Sequence, residues 1–245
     1  MRAVLIHGSG GNAESTWAAL RPLEERVTLV TPNRGGYPPN PLLDRVDFEV
    51  QAAELAPLLE DGAHLVGHSY GAVIALLIAA AHPGRVRSLA VSEPPAFALA
   101  RGNPDVDSLV ERLDAHFARG PRDPRAFAEG FLTLVGTKAR LPDPLPPAVE
   151  QSIRATMAER MPWEAEIPLD ELAAAGFPKL VVSGAHHPAF DAVCDRARGA
   201  APRASRGASR RRPRHPARFR LPRAACRLLR RFGLGRTILA VACGL

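Results

Sequence analysis

The sequence predicts an α/β fold: a mostly parallel sheet flanked by helices, forming one domain over residues 1–198. Short apolar runs alternate with amphipathic stretches, a pattern typical of parallel strands joined by crossover helices. A buried apolar run at residues 63–67 leads through a glycine-containing turn into an almost wholly apolar stretch at 72–81, which indicates a strand, a tight turn and a buried helix. The length of 245 residues and the 46% hydrophobic content are sufficient for one sizeable core.

The same patterns place the remaining elements in order. We predict strands from the apolar runs, helices from the spacing of apolar residues, and a helical lid in a long stretch without a convincing strand. The predicted strands cover residues 2–6, 26–31, 63–67, 87–92 and 179–183. The predicted helices of the body cover 14–23, 47–59 and 72–81, and those of the lid, which spans 94–178, cover 106–118, 124–135 and 147–160.

The net charge of +7 is unevenly distributed along the chain. Fifteen arginines lie from Arg196 onward with no Asp, Glu or Lys, so that removing these fifteen charges leaves the preceding residues at −8. A basic arm that binds nucleic acid or anionic lipid is one interpretation of residues 199–245. The second interpretation is a GC-rich coding region translated out of frame, which would enrich Arg, Ala, Pro and Gly. The absence of lysine favours the second, so we do not expect the tail to bind nucleic acid or membrane.

The cysteines and the N-terminal residues limit the classes of protein to which the chain could belong. The cysteines are Cys194, Cys226 and Cys243, an odd number without metal-ligand spacing, so neither a disulfide framework nor a zinc site is expected. The apolar run at the N-terminus is too short for a signal peptide. We therefore expect a cytoplasmic protein.

A candidate nucleophile lies in the turn between the third strand and the apolar helix. Residues 67–71 read G-H-S-Y-G, which matches the G-x-S-x-G pattern in the strand–turn–helix context that it requires. Glycine is needed on both sides because the serine is held in a strained backbone conformation that leaves no room for side chains nearby. The pattern predicts that Ser69 is an exposed nucleophile at a helix N-terminus, where negative charge is stabilised.

A second glycine-rich turn follows the first predicted strand. Residues 7–11 read H-G-S-G-G, and backbone N–H groups in such a turn can approach a substrate oxygen closely. We predict an oxyanion hole formed by the N–H groups of Ser9 and Tyr70. We also expect His7, Gly8, Gly10 and His68 to contact the substrate.

These two motifs resemble those of the single-domain α/β-hydrolases of the esterase, haloperoxidase-like and C–C hydrolase type. The resemblance covers about residues 1–195, and the two antiparallel strands that usually come first in that family are missing. It implies a serine hydrolase that acts on a small molecule, an ester or related acyl compound, through an acyl-enzyme, and it implies no metal or organic cofactor. The alternative is a catalytically impaired enzyme, or a non-catalytic binding module with the same fold, that lacks a positioned histidine base.

The triad acid departs from the family pattern. The family usually carries it in a G-x-x-D turn after the last strand described above, but residues 184–187 read G-A-H-H. Two replacements are available: Asp191 in the helix that follows, and Glu93 at the end of the strand after the elbow helix, where some relatives carry the acid. We favour Glu93; as an alternative, it is a lid-hinge carboxylate paired with an arginine.

The base is the weakest part of the pattern. The family places its histidine in a loop after one more strand, and only His215 is near that position. Residues 210–216 contain neither a strand nor a glycine turn, so nothing in the sequence would hold the ring of His215 against Ser69. His186 and His187 are alternatives, but the resemblance places them at the turn of the acid.

Overall fold

The core of the molecule is a parallel sheet. The computed structural model describes residues 1–137 and 139–199, and within these ranges five strands pair in the order β2-β1-β3-β4-β5 with every pair parallel. Because the strands are parallel, their carboxyl ends meet at one edge, where sites of α/β folds lie. The strands are β1 (Arg2–Ile6), β2 (Thr28–Val30), β3 (Ala63–His68), β4 (Val86–Ser92) and β5 (Lys179–Val182).

Helices cover both faces of this sheet, as predicted. On one face α3 packs against β3, β4 and α2, with its apolar residues in the main core. On the other face Trp17 and Leu20 pack against Ala3 and Leu5 of β1. The helices are α1 (Ala13–Trp17), α2 (Phe48–Leu55), α3 (Tyr70–Ala81), α4 (Pro104–Arg119), α5 (Pro124–Leu134), α6 (Pro147–Met157), α7 (Leu169–Ala174) and α8 (Pro188–Ala197).

The region predicted as a lid is helical. It contains α4 to α7 and, in its described residues, no strand of the sheet. Helix α4 is anchored by four buried apolar residues, among them Val106 and Leu113, and packs against α5 and α8. An isolated bridge between Val46 and Glu159 ties the end of α6 to the loop after β2, so α6 is attached to the sheet edge that carries the candidate site.

The predicted helices differ from the observed ones mainly at prolines. The stretch 47–59 is α-helical only to Leu55 and continues as a 3₁₀ helix, Ala56–Leu59, because Pro57 has no N–H for the α-helical bond. The stretch 14–23 is likewise divided into α1 and a 3₁₀ helix that contains Pro22. None of the helices in the described ranges is both long enough and apolar enough to cross a membrane.

Candidate active site

Ser69 lies at a sharp turn between β3 and α3. Its backbone has φ 52° and ψ −125°, a left-handed conformation that is costly for a residue with a side chain. A Cβ on Gly67 would overlap the backbone of Gly71, and one on Gly71 would overlap the backbone of Ile6. Only glycine fits at these two positions, so the strained turn of Ser69 is built into the packing of the strand ends.

The loop after β1 approaches Ser69 closely. β1 pairs with β3 in the sheet, so the loop of residues 7–10 emerges beside the elbow. A Cβ on Gly8 would lie 2.7 Å from Ser69 Cβ, which places the Gly8 backbone against the candidate nucleophile. Tyr70 begins α3, and its N–H is therefore one of the unpaired donors of that helix N-terminus.

The side chain of His7 supports this loop. It is 0% exposed. Its pKa is lowered to about 3, mainly by burial and to a lesser extent by the positive charge of Arg34. The neutral ring accepts a hydrogen bond at Nε2 from the Arg34 N–H over 3.1 Å. Nδ1 therefore carries the hydrogen and donates it to the Gly8 carbonyl over 2.8 Å. Both nitrogens are thus engaged inside the loop, and the direct substrate contact expected of His7 from the sequence stays a prediction.

Other residues expected at the substrate site lie near the elbow. The His68 ring is half-buried, with Nδ1 2.9 Å from Ser92 Oγ, and burial with the nearby His186 lowers its pKa to about 4. Gly10 is exposed with φ 74°, and its N–H donates to Thr156 Oγ1 over 2.9 Å. His68 is thus neutral at physiological pH, and Gly10 is held by the end of α6.

The two candidate acids lie together at the ends of β4 and β5. Glu93 is 5% exposed with φ 52° and accepts a hydrogen bond from the Gly184 N–H. Burial raises its pKa, against the opposing effects of that bond and of His186. Asp191, on α8, accepts from the Ser183 hydroxyl. The strand ends therefore bring both carboxylates to one place, with Glu93 the more buried.

Glu93 is paired with His186, a residue that the sequence offered as an alternative base without pairing it with Glu93. His186 Nδ1 lies 2.7 Å from Glu93 Oε2, and His186 Nε2 lies 3.1 Å from the Val135 carbonyl. The expected alternative, an arginine partner for a hinge carboxylate, is not observed within the described residues, where the ion pair of Glu93 is to His186. The two adjacent histidines at 186 and 187 were the available signal, but they were assigned to the turn of the acid.

The described part of the chain does not place a histidine base at Ser69. Over residues 1–137 and 139–199 no hydrogen bond joins a histidine to the Ser69 hydroxyl. His187 accepts from the Ala189 N–H at the start of α8, which gives it a capping role. His215 lies outside the described residues. The described residues also contain no cluster of three or more side chains suited to hold a metal ion.

Comparison with known proteins decides the family. A model described as the alpha/beta hydrolase family matches residues 3–235. The chain belongs to the alpha/beta hydrolase family. The match extends into the arginine-rich segment, further than the resemblance over about residues 1–195 that the motifs indicate. This α/β hydrolase therefore has the fold that the sequence predicts.

Individual relatives match parts of the chain. A pimeloyl-[acyl-carrier protein] methyl ester esterase of Aeromonas hydrophila is 34% identical over 98 residues, which is 38% of this chain and 38% of that protein. An uncharacterized hydrolase of Bacillus subtilis is 30% identical over 107 residues, 41% of this chain and 40% of that protein. The matched segments therefore span well under half the length of these relatives.

Solved structures extend the likeness to most of the chain. An α/β hydrolase from Sphaerobacter thermophilus has a TM-score of 0.60, with 95% of this chain and 92% of that chain covered at 21% identity. At that identity the likeness concerns the fold.

Proposed function

We propose that the chain is a serine hydrolase that cleaves a small carboxylic ester or a related acyl compound through an acyl-enzyme. The observation that carries this proposal is the strained conformation of Ser69, with φ 52°, directly beside the Gly8 backbone. Such a turn exposes a hydroxyl where backbone N–H groups can stabilise a developing oxyanion. The printed activity of the Aeromonas relative, a methyl ester esterase, belongs to the same reaction class.

The proposed reaction has two balanced steps. Ser69 Oγ forms a bond to the carbonyl carbon as its proton passes to the base, while the carbonyl electron pair moves to an oxygen held by the Ser9 and Tyr70 N–H groups. Collapse of this intermediate expels the alcohol oxygen, which takes the proton from the base. Water then attacks the acyl-enzyme in the same way, which releases the acid and restores Ser69.

We propose Glu93 as the triad acid and His186 as the imidazole that it orients. The support is the 2.7 Å contact between Glu93 Oε2 and His186 Nδ1, the arrangement by which a carboxylate fixes a catalytic ring. The 3.1 Å contact of Nε2 with the Val135 carbonyl must break before this nitrogen can serve Ser69. His215, the base position expected from the family resemblance, is the competing assignment.

Labelling and turnover together test the proposed function. A fluorophosphonate probe should label the full-length chain, and Ser69→Ala should abolish the labelling because the probe bonds to the nucleophile. Ser108→Ala, at an exposed serine on α4, is the matched control and should be labelled like wild type. Hydrolysis of a p-nitrophenyl short-chain ester should also depend on Ser69. We expect the rate to be low while His186 Nε2 is bonded to the Val135 carbonyl.

The rival function is a non-catalytic binding module or an impaired enzyme. Folded wild-type protein that is neither labelled nor faster than buffer in ester hydrolysis would favour the binding module. Labelling at Ser69 without turnover would identify a chain that keeps its nucleophile and lacks a working base.

A further inference from the structure

The loop that carries Ser9 is attached to a buried charged cluster to which the proposed reaction gives no role. This cluster, the Arg34 network, consists of Arg34, Tyr37, Thr156 and Glu159. Arg34 Nη2 lies 2.6 Å from Glu159 Oε1, and the two side chains are 0% and 3% exposed. The Tyr37 hydroxyl donates to the same carboxylate oxygen over 2.6 Å and lies 3.1 Å from Thr156 Oγ1.

Stability alone is a weak explanation for this ion pair. Taking two charges out of water costs several kcal/mol per ion, on the order of the attraction that the pair gains, and apolar replacements are often neutral or stabilising. In addition, the buried Arg34 Nε has no hydrogen-bond partner among the described residues, which adds a desolvation cost. The contacts that the guanidinium makes with the site are a better guide to its role.

Arg34 fixes the orientation of the peptide between Gly8 and Ser9. The Gly8 carbonyl accepts from Arg34 Nη2 over 3.1 Å and from His7 Nδ1 over 2.8 Å. In a trans peptide the carbonyl and the following N–H point in opposite directions. Holding the Gly8 oxygen on the Arg34 side therefore directs the Ser9 N–H, the first proposed oxyanion donor, away from Arg34.

The same guanidinium contacts the residue that supplies the second donor. Its central carbon lies 4.6 Å from the centroid of the Tyr70 ring and 4.3 Å from that of Tyr37. These are cation–π distances, and such contacts are stronger in a buried setting. One side chain thus touches both the peptide of Ser9 and the ring of Tyr70.

Glu159 and Thr156 attach the loop to the end of α6. Glu159 Oε2 accepts from the Ser9 hydroxyl over 2.5 Å, and Thr156 Oγ1 accepts from the Gly10 N–H over 2.9 Å. Glu159 therefore holds Arg34 with one carboxylate oxygen and the Ser9 side chain with the other. The loop is fixed from both sides of the Gly8–Ser9 peptide.

We propose that Arg34 is a positioning residue that sets the Ser9 N–H donor of the oxyanion hole, that it also packs against the side chain of Tyr70, and that Glu159 holds it in place. This inference rests on the proposed serine hydrolase function, and it assigns to two residues far apart in the sequence a role in stabilising the transition state. Loss of the network leaves Ser69 in place but allows the Gly8–Ser9 peptide to turn. The effect then falls on the chemical step and not on substrate binding.

The test removes both charges together, since a single removal would leave a buried unpaired charge. The double variant Arg34→Met/Glu159→Gln should lower the rate of Ser69 labelling by a fluorophosphonate, and the kcat of ester hydrolysis, by at least about 10-fold. Complete loss of one donor costs about 100- to 1000-fold. KM should change less than about 3-fold, because the positioned donors act mainly in the transition state.

A matched control removes an ion pair from the surface of the same helix. Arg154 and Glu150 pair over 2.7 Å on α6, and Arg154→Met/Glu150→Gln should be labelled at the wild-type rate. Thr156→Val is a second probe that leaves both network charges and removes the Gly10 acceptor; a slower labelling rate is expected here too, which covers the case in which the double variant does not fold.

Two results would overturn the inference, and they differ from each other. If wild type is labelled and a cooperatively folding network variant is labelled within about 2-fold of it, Arg34 has no positioning role. If wild type itself gives no more labelling than Ser69→Ala, the proposed function fails, and the role of Arg34 fails with it.

Discussion

Two histidines with lowered pKa values should make the folded state sensitive to acid. The pKa of His7 is lowered to about 3, by burial and by Arg34, and that of His68 to about 4, by burial and by His186. In the unfolded chain both titrate near their ordinary value of 6.5. A histidine with a lowered folded pKa contributes stability that is present above pH 6.5 and is lost as the pH falls toward its folded value.

The size of the effect follows from proton linkage. At pH 5 the unfolded chain binds nearly one proton at each histidine, while the folded chain binds almost none. Each histidine therefore lowers the free energy of unfolding by about 2 kcal/mol between pH 8 and pH 5, or about 4 kcal/mol for the pair. That is a large part of the roughly 5–15 kcal/mol that stabilises a typical domain.

Urea unfolding at pH 8, 6 and 5 measures this loss, with His68→Gln as the perturbed chain. The glutamine cannot titrate, so the variant should lose about 2 kcal/mol less than wild type over the same interval. Glu93 has a raised pKa, so its contribution has the opposite sign: it is present at low pH and lost as the pH rises through the folded value. Both chains contain Glu93, and its effect cancels in the difference. Parallel pH dependences for the two proteins would refute the assignment of a neutral ring to His68 in the folded state.

Two further predictions concern the site itself. Gly8→Ala places a Cβ 2.7 Å from Ser69 Cβ, so it should slow fluorophosphonate labelling by at least about 10-fold, less than the 100- to 1000-fold cost of losing an oxyanion donor. Gly84→Ala, where a Cβ meets open space, is the control. Equal labelling rates for the two variants would count against the close approach of Gly8 to Ser69. In ester hydrolysis, His186→Gln should lower kcat by at least about 100-fold, as expected for loss of a general base, whereas His215→Ala should change it little; the reverse pattern would make His215 the base.

The sheet and the elbow were predictable because their signals are local. The apolar run at residues 63–67 and the two glycines around Ser69 lie within one short segment. The strand and the tight turn are therefore both indicated by neighbouring residues. Helix ends were less predictable: a proline at position 57 is compatible with a helix that continues in 3₁₀ form, and the sequence pattern does not distinguish the two.

The supports of the site were not predictable because they join distant parts of the chain. Arg34 and Glu159 are separated by 125 positions, and a single charge in a loop rich in proline and glycine or at a helix end is typical of a solvated surface. Only folding reveals that the pair is buried beneath the Gly8 carbonyl. The sequence could name His7 as part of a motif, but not that both its nitrogens are used inside the loop.

The nucleophile of the candidate triad was easier to predict than its acid and base, for the same physical reason. A nucleophile at an elbow needs one strand, one helix and small neighbours, all adjacent in sequence, so its signature survives in five residues. An acid–base pair needs only that two strand ends come together, and several positions satisfy that condition. Here β4 and β5 are neighbours, which allows the carboxylate at 93 to meet the imidazole at 186 without any shared motif. Assignment of the base therefore depends on whether the ring of His186 or that of His215 comes within hydrogen-bond distance of Ser69. That distance is set by the whole fold and not by any single segment.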